Sequence, residues 1–181
     1  MEKDIIKTNI LLTGAPGVGK TTVIKRILHE AEHRHPVGFY TEEIWEEGTR
    51  KGFSLVSTTG AKAVLAHEKI KNRFAVGKYG VDVAGFERFL AAVPFHDEKT
   101  ECPVVIDEIG RMECFSNIFT DLVMKLLSSD RVVIATVALK GDALIESVKK
   151  RSDCDVIEVT RENRDRLPRD ILDNIIARQG R

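Results

Sequence analysis

Apolar positions along this chain fall either into short continuous runs or into helical stripes, and the two kinds alternate. Thr8 to Thr13 (TNILLT) is a short apolar run that stops at Gly14, the pattern of a buried strand. Lys20 to His33 follows, with Val23, Ile24, Ile27, Leu28 and Ala31 at helical spacing. Val37 to Trp45 (VGFYTEEIW) and Gly52 to Thr59 (GFSLVSTT) are rich in aromatic and β-branched residues and predict two strands. The link Glu46 to Lys51 carries turn chemistry at Gly48, so the pair reads as a β-hairpin. Ala61 to Ala66 predicts one more short strand, and Arg73 to Val81, with two glycines, predicts a loop. Asp82 to Val93 places Val83, Phe86, Phe89, Leu90 and Val93 on one stripe, a helix with Asp82 as N-cap.

In the second half, Pro103 opens the apolar run Val104 to Ile106, which ends in Asp107 and Glu108. A continuous apolar run closed by acids is the pattern of a buried parallel strand. Phe115, Ile118, Phe119, Leu122, Val123, Leu126 and Leu127 form a strong amphipathic stripe. Arg131 to Leu139 predicts another buried strand, Asp142 to Arg151 a helix, and Asp155 to Thr160 a last strand. The tail carries Leu167, Ile171, Leu172, Ile175 and Ile176 on one helix face, and Pro168 sits where a first turn tolerates it. Strands alternating with helices predict an α/β fold: a mainly parallel sheet with helices on both faces and an antiparallel hairpin at one edge.

Length and composition narrow this picture. The 181 residues suit one domain spanning 1–181. Hydrophobic residues at 43% and charged residues at 31% describe a folded chain rather than a disordered one. With 28 basic and 28 acidic residues there is no bulk positive charge, so a nucleic-acid partner is not indicated. Cys102, Cys114 and Cys154 stand far apart with no C-x-x-C spacing, which argues against zinc or a disulfide framework and for reduced packing residues. No run approaches the roughly 20 apolar residues of a membrane span, and Met1 to Lys7 is charged and lacks the apolar core of a leader. We therefore expect a cytoplasmic protein without a membrane partner. The pattern leaves the oligomeric state open, a monomer included.

The chemistry starts at the end of the first run. Gly14-Ala15-Pro16-Gly17-Val18-Gly19-Lys20-Thr21 matches the Walker A pattern G-x-x-x-x-G-K-[ST] in full, between a strand and a helix as that loop requires. Its backbone N–H groups turn inward onto phosphate oxygens, and the helix N-terminus faces the same anion. Lys20 is then expected to reach the β- and γ-phosphates and the Thr21 hydroxyl to ligate Mg²⁺, while Thr22 is placed to contact the α-phosphate or to continue the first turn. Val104-Val105-Ile106-Asp107-Glu108 is a Walker B pattern. Asp107 is expected to hold Mg²⁺ with Thr21. Adjacent strand residues face opposite sides, so Glu108 has a separate role, the orientation or deprotonation of attacking water. The expected substrate is a nucleoside triphosphate. A Glu after the Asp favours hydrolysis, although a P-loop kinase for a nucleotide or small metabolite, or a nucleotide-gated RNA- or protein-binding module, remains an alternative.

Five blocks now carry a resemblance: T-G-A-P-G-V-G-K-T-T (Thr13 to Thr22), G-F-Y-T-E-E (Gly38 to Glu43), V-G-K-Y-G-V (Val76 to Val81), V-I-D-E-I-G-R-M-E (Val105 to Glu113) and T-R-E-N-R-D (Thr160 to Asp165). In this order they resemble the nucleoside-triphosphatases first described in thermophiles, whose human member is called cancer-related nucleoside-triphosphatase. The resemblance spans nearly the whole chain. It implies a RecA-like P-loop three-layer sandwich and Mg²⁺-dependent hydrolysis of ATP, GTP and other nucleoside triphosphates to the diphosphate and phosphate, slow and with broad base selectivity. Arg111 stands where the family commonly has Lys, so a charge role survives while a bidentate geometry would differ.

Further candidates are each open to a plainer reading. Arg111 could neutralise γ-phosphate charge, or pair with Glu113 in a loop ion pair. Glu42 or Glu43, but not both, could face the cleft, or both could line a solvated strand. Asn163 and Arg164 follow the last strand, where an amide edge and a stacked guanidinium could hold the base, or the segment could merely initiate a helix. Lys78 and Tyr79 lie in the loop that could cover the nucleotide. Arg131 and Arg151 are less well placed, and His29, His33 and His35 read as the solvated end of a helix.

Overall fold

A computed structural model describes residues 9–96 and 102–179; Thr8, expected to open the first strand, lies outside them. The first strand, β1 (Asn9–Thr13), is wholly buried and passes through the 14–19 loop into α1 (Lys20–Glu30). α1 ends earlier than its stripe suggested, and a short 3₁₀ turn, Glu32–Arg34, takes up the rest. Next come β2 (Val37–Glu46), β3 (Thr49–Ser57), β4 (Lys62–His67), β5 (Ala75–Val76), β6 (Tyr79–Val81) and α2 (Val83–Ala92). The chain continues through β7 (Val104–Ile109), α3 (Asn117–Leu127), β8 (Val133–Val137), α4 (Ala143–Lys149), β9 (Cys154–Glu158) and α5 (Leu167–Gln179).

The nine strands among the described residues form one sheet in the order β5-β6-β4-β3-β2-β7-β8-β1-β9. The five from β2 to β9 in that order run parallel, and the four beyond β2 run antiparallel. The antiparallel part is thus larger than the hairpin expected. The stretch Arg73 to Val81, expected as a loop, is a tight hairpin of β5 and β6 that turns at Gly77 (φ 58°) and pairs onto β4. Its strands are two and three residues long, too short for a period to register in sequence.

Alternation within the buried strands sorts side chains into two cores. Ile10 and Leu12 of β1 face α1 and α5, where they meet Ile24, Ile27, Ile171 and Ile175. Leu11 faces α2, α3 and α4 on the other side, with Phe86, Phe119 and Ile145. This is the three-layer α/β sandwich expected. Phe39 of β2 anchors the second core, fully buried, with Phe86, Phe89 and Phe95 edge-on at 6.0, 5.7 and 6.5 Å. Helix starts follow their caps: Asp82 accepts from the Gly85 amide at 2.9 Å and Ser116 from the Phe119 amide at 3.1 Å. The Ser116 cap moves the start of α3 past Phe115, which lies in a 3₁₀ turn, Glu113–Phe115.

Because β1, β7, β8 and β9 are parallel, their C-terminal ends share one edge of the sheet. In open α/β sheets ligands bind outside that edge. The 14–19 loop, Asp107 with Glu108, and the segment after β9 all emerge there.

Candidate functional site

The loop after β1 has Gly14, Gly17 and Gly19 at φ 147°, 74° and 112°. Gly19 is the N-cap of α1 in a left-handed conformation, and the Arg164 side chain lies across it, leaving little room for a Cβ. Ala15, Pro16 and Gly17 are exposed, Val18 half-buried, and Thr22 exposed at the first turn. Lys20 Nζ turns back over the loop and donates to the Gly14 carbonyl at 3.1 Å.

Asp107 is 2% exposed at the end of β7 and is held by three threonines from three elements. Thr21 Oγ1 donates to its Oδ2 at 2.8 Å. Thr41 of β2 donates to the same oxygen from Oγ1 at 3.1 Å and from its backbone N at 3.4 Å. Thr136 of β8 donates to Oδ1 at 2.7 Å. A buried carboxylate needs such donors, because stripping its water without replacement costs several kcal/mol, ~2–7 even for a neutral polar group. Two residues singled out in sequence, Thr21 and Asp107, are therefore brought into direct contact. Thr41 and Thr136 were not singled out. The signal for Thr136 was a lone hydroxyl inside an otherwise apolar strand; for Thr41 there was only its place beside Glu42 and Glu43.

Glu108 follows, half-buried. Burial raises its pKa, the Lys20 ammonium opposes the rise and Asp107 adds to it. Glu113 lies close by: a Cβ on Gly110 would stand 2.8 Å from Glu113 Oε2 and 3.4 Å from Glu108 Oε2, so the two carboxyls flank Gly110. Glu113 is 4% exposed, and burial, reinforced by Glu108, pushes its carboxyl up to about 8. It is no partner for Arg111 in a surface ion pair. Arg111 itself is exposed, one residue beyond Gly110.

Across the loop, Arg164 Nη1 donates to the Val18 carbonyl at 3.1 Å. Asn163 is turned inward: its Nδ2 donates to the Glu158 carbonyl and its Oδ1 accepts from the Thr160 amide, both at 2.8 Å. It fastens the turn after β9 and presents Arg164 to the loop. Gly19, Thr22, Val23, Arg26, Arg164 and Asp165 line a cavity of about 210 Å³ beside α1. A larger cavity, about 810 Å³, lies elsewhere, along the later turns of α1 and the 3₁₀ turn after it, with Lys25, Glu32, Tyr40 and Val56 among its lining. None of the loop residues 14–21 lines it, whereas the loop and Asp107 bring together the groups that phosphate and a cation require.

The remaining candidates have structural partners. Glu42 bonds Lys25 at 2.7 Å and Glu43 bonds Arg50. Tyr79 is buried and its ring hydroxyl bonds Arg50, while Lys78 bonds Glu68 at 3.1 Å; they secure the hairpin rather than a cover loop. Arg131 donates to the Phe95 and Cys102 carbonyls, and Arg151 pairs with Asp153. His29, His33 and His35 are exposed. All three cysteines are free. Among the described residues no helix is long and apolar enough to cross a membrane. Nor does any group of three or more His, Cys, Asp or Glu among them form a metal cluster.

A family described as NTPase matches residues 9–172. The chain belongs to the NTPase family. As a member it is an enzyme, a nucleoside-triphosphatase that takes a nucleoside triphosphate as substrate. It is 35% identical over 171 residues to the nucleoside-triphosphatase THEP1 of Thermotoga sp. (strain RQ2), covering 94% of this chain and 97% of the relative. It is 37% identical over 179 residues to the cancer-related nucleoside-triphosphatase of Homo sapiens, covering 91% of this chain and 94% of the human protein. The crystal structure of THEP1 from the hyperthermophile Aquifex aeolicus superposes with a TM-score of 0.80 at 35% identity, over 92% of this chain and 98% of that one. The RecA-like P-loop sandwich implied by the resemblance agrees with this neighbour.

Proposed function

We propose that this nucleoside-triphosphatase hydrolyses ATP, GTP and other nucleoside 5′-triphosphates to the diphosphate and phosphate with Mg²⁺, slowly and with broad base selectivity, as a single cytoplasmic domain. One observation carries the reading: the hydroxyl that ends the Walker A loop and the Walker B carboxylate meet at 2.8 Å, Thr21 Oγ1 to Asp107 Oδ2. One buried carboxylate and one hydroxyl suit Mg²⁺, which keeps waters and substrate phosphates as its other ligands and needs no all-protein cage. Thr21 and Asp107 would hold the ion, which when bound neutralises charge on the β- and γ-phosphate oxygens.

In this reading the amides of Gly14 to Gly19 and the α1 N-terminus cradle the phosphates, and Lys20 leaves the Gly14 carbonyl for the β- and γ-oxygens. Glu108 orients a water in line with the γ-phosphorus and accepts its proton, while the bond to the bridging β-oxygen breaks. A carboxylate whose proton affinity is raised by burial is the better base near neutral pH. Arg111, exposed beyond Gly110, supplies further positive charge to the γ-phosphate. Thr22 and Arg164 serve the α-phosphate and base side, and Asn163 acts only by holding the turn that presents Arg164. The guanidinium of Arg164, braced on the Val18 carbonyl, offers a face on which any base can stack, which supports broad selectivity. The three free thiols support a reducing, cytoplasmic setting.

Phosphate release with Mg²⁺ across a panel of nucleotides, alone and with candidate acceptors, tests this. Release to water with every triphosphate is expected. Stoichiometric transfer of labelled γ-phosphate to an acceptor instead would replace the reading with that of a kinase.

A further inference from the structure

The three hydroxyls on Asp107 are not equivalent. Among the described residues Thr136 alone serves Oδ1, from the buried strand β8. Oδ2 receives three donors, one from Thr21 and two from Thr41. Thr21 Oγ1 has a limited repertoire: its single proton goes to Oδ2 here, and its lone pairs are what a cation would use. Thr21 would thus serve both the cation, through a lone pair, and the carboxylate, through its proton. Thr41 has no such double duty. Its hydroxyl and its amide both donate to Oδ2.

We propose that Thr41 is a positioning residue of the metal site, holding Asp107 Oδ2 toward Thr21 from the neighbouring strand β2. The inference rests on the reading of Thr21 and Asp107 as the magnesium pair. Three elements converge on one carboxylate: α1 through Thr21, β8 through Thr136 and β2 through Thr41. β2 is itself tied to α1 one residue later by the Lys25–Glu42 pair at 2.7 Å. Its parallel pairing with β7, Phe39 opposite Ile106, brings Thr41 level with the end of that strand. Without the Thr41 hydroxyl, Oδ2 keeps one weak amide bond at 3.4 Å and depends on Thr21 for its orientation, so the ion and the carboxylate are no longer set independently. Outer partners that orient a ligating carboxylate typically change metal affinity 10–100-fold when removed.

Four proteins test this, the wild type with Thr41→Val, Thr41→Ser and Asp107→Asn. Thr41→Val keeps shape and the backbone amide but loses the hydroxyl; Thr41→Ser restores it. Binding of a non-hydrolysable ATP analogue is measured by calorimetry in chelator and across a Mg²⁺ titration, with Mn²⁺ binding to the analogue complex followed by electron paramagnetic resonance. Circular dichroism melts confirm folding; should Thr41→Val fail to fold, Thr41→Ala takes its place. The expected result is a ~10-fold higher metal concentration at half-saturation in Thr41→Val, metal-free analogue affinity near wild type, and recovery in Thr41→Ser. Asp107→Asn is expected to lose metal dependence more severely. Unchanged metal binding in Thr41→Val beside a weakened Asp107→Asn overturns the role of Thr41 alone. Unchanged metal binding in both overturns the magnesium pair. A Thr41→Ser protein as impaired as Thr41→Val also overturns the proposal, because packing rather than the hydroxyl would then be the cause.

Discussion

Glu113 offers a perturbation whose size follows from its burial. The carboxyl is 4% exposed and sits across Gly110 from Glu108. Burial foremost, then the charge of Glu108, pushes it from the ordinary 4.5 up to about 8, against the opposing pull of the Glu113 and Gly110 backbone amides. The folded state therefore holds a proton that the unfolded chain has already released. Between about pH 4.5 and 8 the folded protein binds more protons than the unfolded one, so stability falls as pH rises through that window and levels off above it. At 1.36 kcal/mol per pKa unit the ceiling on this loss is about 5 kcal/mol, a large share of the ~5–15 kcal/mol that holds a typical domain together. Glu113→Gln keeps the shape and cannot ionise. Urea denaturation of both proteins, free of nucleotide and metal, at intervals from pH 4.5 to 9 reads the difference. The variant is expected to be comparable with the wild type at pH 4.5 and more stable by ~3–5 kcal/mol at pH 8.5. Parallel stability curves would refute the argument, since they would mean that Glu113 ionises as easily folded as unfolded.

Two further substitutions probe the base side and the frame. Arg164→Ala removes the guanidinium braced on Val18 and should raise KM for all nucleoside triphosphates by about 2- to 30-fold in steady-state assays, the span of ~0.5–2 kcal/mol for a cation over a ring; an effect confined to one base would contradict a stacking platform. Gly38→Ala puts a Cβ into the carbonyl of Val105 at φ 151°, so urea denaturation should report a loss of ~3 kcal/mol or more, and a loss under ~1 would show that β2 and β7 do not approach as described.

The legible parts of this protein are those whose chemistry is local. The loop from Gly14 to Thr21 specifies itself, because the strand before it, the glycines within it and the helix after it lie in one run of sequence. Asp107 was legible because a buried strand that ends in acids has few other uses. Thr41 and Thr136 reach Asp107 from 66 and 29 residues away, across two strand pairings that the sequence does not spell out. Period-two reasoning on β2 drew attention to Glu42 and Glu43, whose charges are spent on Lys25 and Arg50, and passed over the neutral hydroxyl beside them. Glu113 was hidden for a similar reason: a charged residue in a loop suggests solvent, and only the 3₁₀ turn Glu113–Phe115 carries it inward. The β5–β6 hairpin escaped because strands of two and three residues owe their existence to β4. Asn163 was found, but facing the turn it ties instead of the open side.

Glu108→Gln tests the central claim, that this site binds a triphosphate through its loop and hydrolyses it with a carboxylate-assisted water. Phosphate release and nucleotide binding are measured on the same preparation at saturating Mg²⁺. Nucleotide affinity is expected within about twofold of wild type and turnover lower by ~10²–10⁴-fold. Turnover equal to wild type, with binding intact, would contradict that claim.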